Sequence, residues 1–89
     1  MRIEKAQNPD KKWRAVFNDG THTEFGASGY LDFTQHKDPD RRKRYRIRHA
    51  KDLKTKDPKK AGFLSYFILW GPSTSLAENV KAYNHRFGV

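Results

Sequence analysis

Eighty-nine residues suffice for one small domain, and a chain this short leaves much of its surface exposed. A net charge of +9 with 33% charged and 35% hydrophobic residues is unusual for a free-standing globular unit, while 13% aromatic residues is too many for a disordered polyelectrolyte. The lack of cysteine excludes disulfides and thiolate metal sites and allows a reducing compartment.

Residues 1–26 read as β structure. The runs WRAVF and THTEF flank Asn18-Asp19-Gly20, and an Asp-Gly pair between such runs signals a hairpin, because Gly20 accepts the positive φ of a tight turn. A two-residue loop at Asp19 and Gly20 predicts Phe17 opposite His22, Ala15 opposite Glu24 and Arg14 opposite Phe25. Trp13, Ala15 and Phe17 then share one face, with Val16 and Phe25 on the other. MRIEK adds a third strand that turns at Asn8-Pro9-Asp10. GASGYLDFT is a glycine-punctuated link, where Gly26 and Gly29 suit backbone shapes that side chains would obstruct. Tyr30, Leu31 and Phe33 are expected to be pinned beneath it.

Asp38-Pro39 announces a helix over residues 39–52: an aspartate able to cap, then a proline at the first helical position, where a missing N–H costs nothing. Residues 53–60, polar and lysine-rich with Asp57-Pro58, read as a mobile linker. Next comes an apolar helix over 61–70, whose Phe63, Leu64, Phe67, Ile68 and Trp70 cover nearly its whole circumference, as suits a helix surrounded by other structure. Packing of Phe63, Phe67 and Trp70 on the hairpin is favoured over exposure in an interface. Gly71-Pro72 ends this helix. A last helix over 75–87 opens at Ser75, where Ser75 and Glu78 fit the capping box, and Leu76, Val80, Tyr83 and Phe87 form a stripe at helical spacing. The predicted fold is a single α+β domain over residues 1–89: an N-terminal antiparallel hairpin or three-stranded sheet, then three helices.

Charge is concentrated. Residues 37–60 hold twelve Lys or Arg against four Asp, or +8, and the rest of the chain holds seven against six, or +1. Around the helix of residues 39–52 the basic groups point in every direction, so packing alone does not explain it. One reading is nucleic acid: Arg41, Arg42, Lys43, Arg44, Arg46 and Arg48 neutralise phosphates, Tyr45 stacks, and Lys54, Lys56, Lys59 and Lys60 extend the field. Lys37 and His49 stand at the two ends of this contact set. The other reading is protein: Arg41, Tyr45 and Arg48 form a ridge at i, i+4 and i+7, continued by Asp52, and their planar forks bind carboxylates or carbonyls of a neighbour. Arginine outnumbers lysine in the helix, whereas the linker has only lysine, which favours placed contacts over a merely solvated face.

His36-Lys37-Asp38 invites a catalytic reading, but no activated nucleophile, carboxylate pair or phosphate-cradling loop accompanies it. His22, His36, His49 and His85 fit no metal-ligand spacing, so neither metal nor cofactor is expected. MRIEKAQNPDKK lacks the apolar stretch of a signal peptide, and GFLSYFILWG is about half of the roughly 20 residues a membrane span needs.

Taken together, MRIEKA, FGASGYLDFTQHKDPDRRKRYRIRH, AGFLSYFILWGPS and the terminal HRF resemble a family of short basic proteins encoded by nucleocytoplasmic large DNA viruses of eukaryotes. The resemblance runs over nearly the whole chain. That family has no assigned enzymatic activity, so the resemblance implies a viral context without a mechanism. The expectation is a minor capsid component on the inner side of the shell, bridging other capsid proteins in a large assembly; the alternative is a virion nucleoprotein that binds double-stranded DNA without sequence preference.

Overall fold

The computed structural model describes residues 1–89. Strands β1 (Arg2–Lys5), β2 (Lys11–Val16) and β3 (His22–Ala27) form an antiparallel sheet in that order. Four helices follow: α1 (Phe33–His36), α2 (Pro39–His49), α3 (Ala61–Leu64) and α4 (Leu76–Phe87). A 3-10 turn (Ala50–Thr55) extends α2, and a π turn (Ser65–Leu69) extends α3. The α+β class is the one that the sequence suggests. The additional helix, α1, is too short for hydrophobic periodicity to reveal.

The hairpin is closed by three residues rather than two. Trp13 pairs with Phe25, Arg14 with Glu24 and Ala15 with Thr23, and the Phe17 N–H donates to Thr21 O at 2.8 Å. Asn18, Asp19 and Gly20 therefore form the loop, with Gly20 at φ +88 in the left-handed position that a three-residue hairpin loop uses. Because strand side chains alternate, a one-residue change of register exchanges faces. It places Phe25 on the side of Trp13, Ala15 and Phe17, and sets Arg14 3.1 Å from Glu24. Ala15, Phe17 and Phe25 are buried on that side.

Against it lie Phe63, Leu64, Ile68 and Leu69 of α3 and its extension and Trp70 just after them, joined by Phe33 and Tyr83. Burying an aliphatic side chain such as Leu64 or Ile68 stabilises by about 1.5–3 kcal/mol. Gly26, at φ +83, admits this close layer: a Cβ there would stand 2.8 Å from Leu69 Cδ1. Gly29 has open space around it, so the obstruction expected there does not occur. At the corner before α4, buried Asn79 donates to Ile68 O (2.8 Å) and Ser73 O (2.7 Å). Ser75 caps α4 by accepting from the Glu78 N–H at 3.3 Å.

Two further expectations are corrected. Tyr30 and Leu31 are exposed and only Phe33 is buried. Asp32 caps α1, accepting from the Thr34 N–H at 2.9 Å while Gln35 Oε1 accepts from the Asp32 N–H at 3.1 Å, and this anchors the chain just after Leu31. Residues 53–60 are also no plain linker. Thr23 donates to Lys59 O at 2.7 Å, Tyr83 donates to Pro58 O at 2.5 Å, and the Lys59 ammonium pairs with Asp19, so this segment is strapped to the hairpin and to α4. No helix is long and apolar enough to cross a membrane.

Candidate functional site

α2 begins as its sequence dictates. Asp38 accepts from the Asp40 N–H at 3.0 Å, Pro39 follows, and Arg46, Arg48 and His49 in the last turn complement the negative end of the helix dipole. The helix ends at His49 and tightens into the 3-10 turn, short of the predicted residue 52.

No residue of α2 is fully buried, yet one side of it is firmly attached. Tyr45 stacks on Trp70 with ring centroids 4.1 Å apart and planes 6° apart, and His49 stacks on Tyr45 at 4.1 Å. Burial pushes the Tyr45 hydroxyl up to about 12, with the Asp52 charge adding to the effect. Arg42 Nε donates to Trp70 O (3.1 Å) and Gly71 O (2.8 Å), and Arg46 Nη1 donates to Tyr66 O (3.1 Å) and Trp70 O (2.8 Å). These carbonyls end the α3 segment, where the last C=O groups lack intrahelical donors and the helix dipole is negative. Arg46 also lies 4.0 Å from the centre of the Tyr66 ring, and burial lowers its pKa.

Arg41, Arg44 and Arg48 lie on an adjacent, exposed side of the helix. With Tyr30, Leu31 and Trp70 they line a cleft of about 230 Å³, and none of the three guanidiniums has a carboxylate partner in the chain. Tyr30 is 77% exposed, Leu31 53% and Ile47, on α2, 69%; these are the large hydrophobic side chains left in water. Lys43, Lys54, Lys56 and Lys60 are exposed as well.

The residues named from the sequence as contacts thus divide. Arg42, Tyr45, Arg46, His49 and Lys59 make contacts within the chain, whereas Lys37, Arg41, Lys43, Arg44, Arg48, Lys54, Lys56 and Lys60 are exposed. The supposed Arg41–Tyr45–Arg48 ridge is divided too, since Tyr45 turns inward. Tyr30 and Leu31 were not legible as cleft residues. Their one signal is two large apolar side chains in a glycine-rich link outside any periodic segment.

The His36-Lys37-Asp38 run is occupied structurally. His36 Nδ1 accepts from the Asp38 N–H at 2.9 Å, Asp38 caps α2, and Lys37 adopts a left-handed φ of 58° at the end of α1. The His36 Nε2 is buried without a partner, and burial first, the Arg41 charge second, lower the pKa of the ring. No group of three His, Asp or Glu side chains converges to hold a metal ion.

The sequence pattern of DUF5754, a family of unknown function, matches residues 1–49, which span the sheet, α1 and all of α2. No curated protein and no solved structure matches the chain.

Proposed function

The chain belongs to DUF5754, a family of unknown function, and from the arrangement of its arginines we propose that it is a non-enzymatic structural protein that bridges larger subunits of an assembly. One observation carries this reading: the exposed Tyr30 and Leu31 line the same cleft as the unpaired Arg41, Arg44 and Arg48, and the exposed Ile47 sits on the same helix. Protein interfaces concentrate arginine and aromatic side chains at their centres, whereas duplex DNA is held mainly by cationic and polar contacts to phosphates. The partner surface that fits is acidic with apolar side chains between the carboxylates. The resemblance to short basic proteins of large DNA viruses supports reading that assembly as a virion, with this chain a minor capsid component on the inner side of the shell.

A second reading, a nucleoprotein on packaged DNA, draws on the exposed lysines at positions 43, 54, 56 and 60, which add to the positive charge outside the cleft. Fluorescence anisotropy across a salt series separates the two. The probes are a labelled peptide alternating Glu with Phe and Leu, and a random DNA duplex. For the bridge, Tyr30→Ser with Leu31→Ser weakens peptide binding about 10-fold, or about 1.4 kcal/mol, and leaves DNA binding unchanged. Tight DNA binding with a salt slope of about six or more phosphates, and a peptide indifferent to the double change, establishes the nucleoprotein instead.

A further inference from the structure

A second and larger cleft, of about 580 Å³, opens where the β1–β2 turn meets α1, and it shares no residue with the arginine face. That volume lies within the roughly 300–1,000 Å³ of small-molecule sites. Lys12 lies in its wall. The Lys12 ammonium, on a side chain only 12% exposed, donates to Asp32 at 2.7 Å and to Gln35 Oε1 at 2.6 Å. An ammonium has three donors, so one remains.

The carboxylate and amide oxygens of this wall are already engaged. Asp32 Oδ2 receives Lys12, and Asp32 Oδ1 receives both the N–H and the hydroxyl of Thr34. Gln35 Oε1 receives the Asp32 N–H besides Lys12, and Asn8 Oδ1 receives the Asp10 N–H at 2.9 Å. The amide NH2 groups of Asn8 and Gln35 have no partner in the chain, and neither do the ammonium groups of exposed Lys5 and Lys11. What this cleft offers is therefore donors, three lysines against one neutralised aspartate, with Trp13 also in its lining.

We infer that the cleft binds a phosphomonoester whose molecule also carries a flat aromatic ring, as a nucleoside monophosphate does. The oxyanion meets Lys5, Lys11, Lys12 and the two amides, and the ring lies along Trp13. Five donor groups outnumber the roughly four lone-pair sites of a carboxylate, whereas a terminal phosphate brings three strongly accepting oxygens and a double charge.

Isothermal titration of the full chain with AMP, adenosine and inorganic phosphate tests this. AMP is expected to bind at least about 10-fold more tightly than either fragment. Lys5→Ala with Lys11→Ala, both at exposed unpaired positions, should weaken AMP by about 10-fold, and Arg44→Ala with Arg48→Ala should leave it unchanged. Trp13→Leu, checked for folding by circular dichroism, should weaken AMP and leave inorganic phosphate unaffected. AMP binding no tighter than inorganic phosphate, or a loss that follows the arginine pair, overturns the inference, because either one reduces the cleft to general attraction for anions.

Discussion

Arg42 and Arg46 face inward on α2, and Arg41, Arg44 and Arg48 face outward on the same helix. The inner pair meets carbonyls at the end of α3, a site already negative and short of donors, and so becomes part of the fold. The outer three meet neither carboxylate nor carbonyl, and they share their cleft with two exposed apolar side chains. A run of one residue type is thus two devices, separated by which side of the helix finds a neighbour.

The largest expected effect falls on what the inner side grips. Trp70→Ala removes the platform under Tyr45 and leaves a cavity, and should cost about 3–5 kcal/mol in urea denaturation, a large share of the stability of so small a domain. If it costs under about 1 kcal/mol, the stack does not hold α2.

A smaller effect comes from the junction before α2. His36 Nδ1 must be unprotonated to accept from the Asp38 N–H, and burial with the Arg41 charge keeps the ring pKa below its ordinary 6.5. The folded state favours the neutral ring, while the unfolded chain takes up a proton near pH 6.5. Stability from this group is therefore complete above about pH 6.5 and is lost as pH falls through the window down to the lowered folded value. Urea midpoints measured between pH 5 and 8 should show this decline, and His36→Asn should flatten it.

The smallest effect sits one residue on. Lys37 occupies a left-handed conformation that costs a side-chain-bearing residue about 1–2 kcal/mol. Part of that is offset by the greater freedom of glycine when unfolded, so Lys37→Gly should raise stability by about 0.5–1 kcal/mol with the outward face intact.

What the sequence disclosed was local. Asp38-Pro39 and Ser75 mark helix starts because their partners lie within three residues, and the strands follow from alternation and turn chemistry. The hairpin register was not legible, since Asn18-Asp19-Gly20 serves a two- or a three-residue loop equally well. Nor was the division of the arginines. The acceptors of Arg42 lie 28 and 29 residues away, on backbone carbonyls that every residue has. The exposure of Tyr30 and Leu31 depends likewise on the Asp32 cap, which itself bonds Lys12 of β2, 20 residues away.

The division of the arginines is tested most directly by comparing two charge-conserving variants in urea. Arg42→Lys with Arg46→Lys replaces planar forks that each bond two carbonyls, and should lose about 2 kcal/mol. Arg41→Lys with Arg44→Lys and Arg48→Lys should stay within about 0.5 kcal/mol of the parent. Equal losses in the two variants, or a larger loss in the outer one, would contradict the division between an inner pair that belongs to the fold and an outer three that do not.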